Sequence, residues 1–201
     1  MSAIVSVCGP PGCGKTTAVS ALAAIYPAYV ENTLSNPYLG KLLKGAKDSN
    51  AFLNQKWFLD QMLFCIENSD YKQNLILDQD PIVIVYVYAR KYLVEERLNA
   101  EQFQELECLL LRVEERLRAW EDGRVTLFLD CADEILCRRV QMRDGVAQTP
   151  PLKWFHDLRS SFQSIQSKFQ KFECLDTSEL DEIALKKAAL VFAEKYISLR
   201  S

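Results

Sequence analysis

Nine consecutive residues, Gly9-Pro10-Pro11-Gly12-Cys13-Gly14-Lys15-Thr16-Thr17, place two glycines five positions apart just ahead of a lysine and two threonines. Glycines let successive backbone N–H groups converge on phosphate oxygens, a lysine reaches the β and γ groups, and the first hydroxyl after it can ligate Mg²⁺. Gly9-x4-Gly14-Lys15-Thr16 is the full Walker A spacing. It lies between the apolar run "AIVSV" (3–7) and the helix-like "KTTAVSALAAIY" (15–26), which is where such a cradle must sit. The plain alternative, a Gly/Pro turn with a chance lysine, does not account for that context.

Holding a phosphate does not say where it goes, so nearby carboxylates become decisive. Glu31 follows "AYV" and Asp78 follows "NLIL", each at the end of a strand-like run. In a parallel sheet covered on both faces, ligands sit outside the carboxyl ends of the strands. A carboxylate there can take the proton of an attacking hydroxyl or hold a metal's water shell. On its own, Glu31 reads better as a solvated loop acid, and Asp78 reads as a metal or catalytic group or as a strand-end cap. Arg138, Arg139 and Arg143 lie in "CRRVQMRD", with Arg139 and Arg143 at i and i+4 and hence on one face. Followed by "DGVAQTPP", they read either as the base of a mobile lid at about 138–152 or as a solvated basic face.

The elements that position these groups alternate. Strands are expected at 3–7, 28–31, 74–81, 125–130 and 172–177. Helices are expected at 15–26, 50–68, 99–122, 132–144 and 151–172, and over 178–197, with Ser178 and Asp181 as candidate caps. "IVIVYVYARKYLV" (82–94) mixes strand-forming residues with helical length and is read as a helix. Alternating strands and helices predict an α/β fold with a central five-stranded parallel sheet in three layers. The length suits one domain, 1–201.

Composition narrows the function classes. A net charge of −3 supplies no general basic field, which argues against a nucleic-acid partner. Seven scattered cysteines without a CxxC pair, and one histidine, His156, disfavour disulfide, zinc and His-rich metal frameworks. No run is suited to a signal peptide or membrane span, so a cytoplasmic setting is the expectation. Trp57 and Phe58 read as core by their spacing.

The order of features resembles the deoxyribonucleoside kinase family over nearly the whole chain. Glu31 in "YVEN" matches that family's general base, and "NPYL" after it is similar to the same segment in bacterial deoxyadenosine/deoxyguanosine kinases. Gln55 in "NAFLNQKWFL" matches the base-reading Gln, Tyr88 the base-stacking aromatic, Asp78 the acid of an Asp-Arg-Ser segment, and Arg139 and Arg143 the first part of the lid. The departures cluster at the acceptor end. Gln79 stands where the family has the segment's Arg. Met62 and Ile84 replace a charged pair. Leu43, Gln148 and Gly145 replace a sugar-binding Tyr, its acidic lid partner and a second lid Arg. Loss of both members of a buried ion pair is coherent, since removing one alone leaves an unpaired charge costing ~3–5 kcal/mol.

The resemblance implies a kinase moving the γ-phosphate of ATP, with Mg²⁺, to the hydroxyl of a nucleoside or nucleoside-like molecule. Lys15 and the loop amides, Gly9 to Thr17, would hold the phosphates and Thr16 the metal, with Asp78 beside it. Glu31 would be the base, Arg139 and Arg143 would stabilise developing charge, and Gln55, Gln79 and Tyr88 would line the acceptor site. It also implies a homodimer built from helices; the Leu stripe of 99–122 reads equally as that surface or as core. Two other readings remain. One is a nucleotide-binding sensor that has lost efficient catalysis. The other is a monophosphate kinase, for which only Lys41, Lys44, Lys47 and Lys56 offer positive charge around residues 31–60.

Overall fold

The computed structural model describes residues 2–43, 49–120, 123–146 and 149–197. Five parallel strands, β1 (Ile4–Cys8), β2 (Ala28–Tyr29), β3 (Leu75–Asp78), β4 (Arg124–Asp130) and β5 (Phe172–Asp176), form one sheet in the order β2-β3-β1-β4-β5. β1 is apolar apart from Ser6 and buried at every residue, as a central strand covered on both faces should be. Its register sets Val7 beside both Asp78 and Leu127, so the loop after β1 and the acid ending β3 emerge at the same sheet edge.

Alternation along the strands divides the core in two. Ile4, Cys8, Leu77 and Phe128 face α3 (Ser49–Glu67), α6 (Ala100–Leu117) and α8 (Leu152–Ser164), through Leu59, Met62, Leu106, Val113 and Phe162. Val5, Val7, Ile76 and Leu127 face α1 (Lys15–Ala23), α7 (Asp133–Asp144) and α9 (Glu182–Ile197), through Val19, Leu22, Leu136, Leu185 and Phe192. A short α2 (Leu39–Leu43), which the sequence pattern did not announce, precedes α3. No helix among the described residues is long and apolar enough to cross a membrane.

The helix expected over 82–94 exists but is not uniform: α4 (Pro81–Val83) runs into a π-helical segment, Ile84–Ala89, and then α5 (Arg90–Val94). Its Val and Ile content favours strands, but an Asp80 cap, Pro81 at the first turn and full burial of Ile82 to Val85 override that propensity.

Several boundaries need correction. The strand expected at 28–31 stops at Tyr29, so Glu31 lies two residues beyond it, and the strand expected at 74–81 ends at Asp78, where Gln79 turns the chain with φ 93°. The helix expected over 151–172 stops at Ser164 and gives way to a 3₁₀ turn, Gln166–Lys168. The helix expected from 178 begins at Glu182. Asp181 caps it by accepting from the Ala184 N–H at 2.8 Å, whereas the Ser178 hydroxyl accepts from the Ala132 N–H at 3.1 Å and caps nothing. The long helix runs over Ala100–Leu117, opened by an Asn99–Gln102 capping box; residues 121 and 122 lie outside the described residues.

Candidate active site

The cradle sits at the carboxyl end of β1. A Cβ at Gly9 would lie 2.5 Å from the Leu129 carbonyl, so only glycine lets the loop pass β4 this closely. Gly14 takes φ 96°, and a Cβ there would collide with the Leu185 side chain on α9. The loop's turn is fixed from outside by Thr177, whose hydroxyl donates to the Cys13 carbonyl at 2.9 Å. Burial pushes the Cys13 thiol up to about 12, leaving it a packing residue without nucleophilic character.

Lys15 begins α1 and turns its ammonium group toward the acids of the neighbouring strands. Its Nζ donates to Glu31 Oε2 at 3.2 Å and makes a short ion pair with Asp78 Oδ1. The second Asp78 oxygen accepts from the Glu31 backbone N–H at 3.1 Å. Residues 15, 31 and 78, distant in sequence, thus form one cluster at the sheet's carboxyl edge. Burial opposes the Lys15 charge, but Glu31 and Asp78 outweigh it and hold its pKa above the usual lysine range. Glu31 is raised above an ordinary carboxylate, first by burial and then by Asp78, with Lys15 pulling the other way. A carboxylate so placed is a proton acceptor nearer to neutrality than a solvated glutamate.

Tyr88, on the π-helical segment, meets Phe162 edge-on at 6.2 Å between ring centres, and burial, opposed by Lys15, pushes its phenol up. Gln55 is buried on α3 next to Asn54. Met62 and Ile84, the apolar substitutes for a charged pair, are both fully buried in the same core. Thr16 is exposed at the start of α1 and Thr17 half-buried. The donor set of Thr16 hydroxyl and Asp78 carboxylate is made of hard oxygens and is sparse, which fits Mg²⁺ that keeps most of its waters.

The arginines separate. Arg139 lies among carbonyl oxygens, donating to those of Thr177 at 2.9 Å and of Gly12, Ser178 and Leu180 at 3.4 Å, and so ties the cradle to the loop before α9. Arg143 instead pairs at the surface with its neighbour Asp144 at 2.6 Å. The helix bearing both ends at Gly145, whose φ is 86°. Gln148, Lys44 and Lys47 lie outside the described residues.

Three features escaped the sequence reading. Asn36 and Asn54 are both buried; Asn36 Nδ2 donates to Asn54 Oδ1 at 2.9 Å, and Asn36 Oδ1 accepts the N–H groups of Tyr38 and Leu39 at 2.9 and 3.2 Å. This pins the segment after Glu31 onto the Gln55-bearing helix. Thr177 holds the cradle, as described. Asp80, fully buried, accepts from the Ile82 N–H at 3.0 Å and the Thr126 hydroxyl at 3.1 Å and pairs with Arg124 at 3.3 Å. Of these only Asp80 carried a local signal, an acid directly before a proline.

The profile of the deoxynucleoside kinase family matches residues 5–195 of the chain. No curated protein sequence matches it significantly. Among solved structures, it is similar to deoxyadenosine kinase from M. mycoides. With the products dCMP and a flexible dCDP bound, that protein shows 14% identity and a TM-score of 0.75 over 96% of this chain and 99% of the other. With dATP bound, the values are 16% and 0.73 over 95% and 99%. At such identities the likeness establishes the fold.

Proposed function

The chain belongs to the deoxynucleoside kinase family, whose members transfer phosphate from ATP to a nucleoside hydroxyl, and we propose that the Lys15–Glu31–Asp78 cluster carries that reaction here. The observation behind this assignment is the joint hold of the Walker lysine by two acids at the carboxyl edge of the sheet. When ATP enters, Lys15 swings from the carboxylates to the β- and γ-phosphates. Glu31, released from its cation and still beside Asp78, then takes the proton of the acceptor hydroxyl. The Thr16 hydroxyl and the Asp78 carboxylate would hold Mg²⁺, which would supply neutralising charge on the phosphate oxygens.

The loop amides from Gly9 to Thr17 hold the donor's phosphates, while Gln55, Gln79 and Tyr88 line the acceptor side. Arg143 joins the phosphates on lid closure, exchanging a surface ion pair that contributes only ~0–1 kcal/mol. Arg139 acts from the cradle side. The M. mycoides structures hold dCMP and dATP, so deoxycytidine and deoxyadenosine are the first acceptors to try. We further read the chain as one domain with a lid at about 138–152, cytoplasmic, and homodimeric.

Transfer from labelled ATP to a panel of deoxynucleosides and their monophosphates tests this reading, with Lys15→Ala and Glu31→Gln as controls. We expect labelled monophosphate product from wild type and a loss of at least about a hundredfold in either variant. Nucleotide binding that depends on Lys15, with no transfer to any acceptor, would instead support the sensor reading that the neutral Gln79 favours.

A further inference from the structure

The phosphate loop is built from residues that do not fix their own backbone. Gly12 and Gly14 take φ of 89° and 96°. Glycine accepts either sign of φ at little cost, so a peptide plane beside one turns over easily. At an anion site such a turn matters. In a trans peptide the carbonyl and the N–H point in opposite directions, and no described peptide is cis. The peptide joining Cys13 to Gly14 therefore presents the Gly14 N–H on the side away from the Cys13 carbonyl; turned over, it would set a carbonyl dipole against a phosphate.

The Cys13 carbonyl is held from across the chain. Thr177, completely buried, donates its hydroxyl to that carbonyl at 2.9 Å. The hydroxyl has a single proton, and the Asp130 carbonyl, also in reach at 3.0 Å, already receives the Thr177 N–H at 2.8 Å. The proton is thus committed to Cys13. Arg139 of α7 donates through one nitrogen to the Thr177 hydroxyl at 3.5 Å and to the Gly12 carbonyl at 3.4 Å, and through the other to the Thr177 carbonyl at 2.9 Å. A donor behind the hydroxyl strengthens the bond in front of it. Arg159 of α8 grips both carboxylate oxygens of Asp130, at 2.7 and 2.9 Å, so α7 and α8 both bear on Thr177. Two consecutive loop carbonyls, those of Gly12 and Cys13, are drawn outward by side chains from other elements.

We propose that Thr177 is a positioning residue for donor binding, its hydroxyl keeping the Cys13–Gly14 peptide turned so that the N–H, and not the carbonyl, faces the phosphates of ATP. This rests on the reading of residues 9–17 as the donor-phosphate site and deepens it. Without the hydroxyl, the Cys13 carbonyl keeps its direction only as a buried acceptor without a donor. Conformers with the peptide turned over then gain population, and ATP must reverse them to bind.

The test is calorimetric binding of ADP and steady-state kinetics, alongside thermal melting, in Thr177→Val and Thr177→Ser. Valine keeps the branched shape and removes the hydroxyl; serine keeps the hydroxyl and drops the methyl group. Thr177→Val is expected to weaken ADP binding and raise the KM for ATP about tenfold, with the acceptor KM within about twofold of wild type. Thr177→Ser is expected to hold ADP affinity within about twofold, even where it melts lower than Thr177→Val. Unchanged ADP affinity in Thr177→Val, an equal loss in Thr177→Ser, or an acceptor KM that rises as far as that for ATP overturns the proposal and leaves Thr177 a packing residue. Should Thr177→Val fail to fold, Thr177→Cys replaces it: a thiol donates weakly, so ADP affinity must fall there too, and wild-type affinity overturns the proposal. ADP binding needs no acceptor, so these outcomes are read whether or not phosphate is transferred. A wild type that binds no ADP removes the donor-site reading itself, and this inference with it.

Discussion

At the scale of single residues, the site is governed by where one cation spends its time. Lys15 pairs with Glu31, whose backbone N–H donates to Asp78, and in the proposed reaction its departure to the donor phosphates would leave Glu31 beside Asp78 in a half-buried setting. Burial and Asp78 both raise the Glu31 pKa. A base must be unprotonated to act, so kcat/KM is expected to climb with pH on the acid side, with its midpoint above the ordinary glutamate value. The climb should be absent in Glu31→Gln. A wild-type profile that is flat down to pH 5 would remove Glu31 as the base. Asp78 was legible as a strand-end acid and Lys15 by its spacing, whereas Glu31 lies two residues past the strand expected to end on it. That one lysine holds both acids was not, because the contact depends on the register of β1 against β3.

At the scale of elements, the segment that follows β2 and carries Glu31 is held by tethers and not by regular structure. β2 ends two residues before Glu31, and the segment that follows is held by the Asn36–Asn54 bond and by Tyr29, whose hydroxyl donates to the Phe58 carbonyl at 3.2 Å. Asn54→Ala leaves the buried Asn36 amide without its acceptor. It is expected to cost about 1–3 kcal/mol in urea denaturation and to raise the acceptor KM more than the KM for ATP. No change in stability would show that the tether carries no free energy. The helices around the site were readable from their periodicity. The π-helical segment carrying Tyr88 was not, since Val- and Ile-rich sequence gives no sign of a changed hydrogen-bond pattern until tertiary packing imposes it.

Across the whole molecule, the Leu stripe that the sequence left between core and interface resolves in favour of core. Leu106, Leu109, Leu110, Val113 and Leu117 are all buried within the subunit. What α3 and α6 expose instead is Phe64 and Leu111, each 66% accessible. If the proposed homodimer forms through these helices, sedimentation velocity should show a dimer for wild type and a monomer for Phe64→Glu with Leu111→Glu. A wild-type monomer at tens of micromolar would exclude it. The melting temperature of the doubly substituted chain should then depend less on protein concentration.

The sequence by itself determined the α/β class and the glycine loop with its lysine between β1 and α1, because spacing and periodicity are local properties that survive without a fold. Tertiary structure alone decided how those groups combine. Lys15, Glu31 and Asp78 meet only where three strands end side by side. Arg139 is engaged by carbonyls brought together from Gly12 and from residues 177–180. The turn at Gln79 is held by β1 and, through Asp80, by residues 46 and 44 positions further along the chain, Thr126 and Arg124. Such contacts are set by sheet order and register, which no short stretch of sequence encodes.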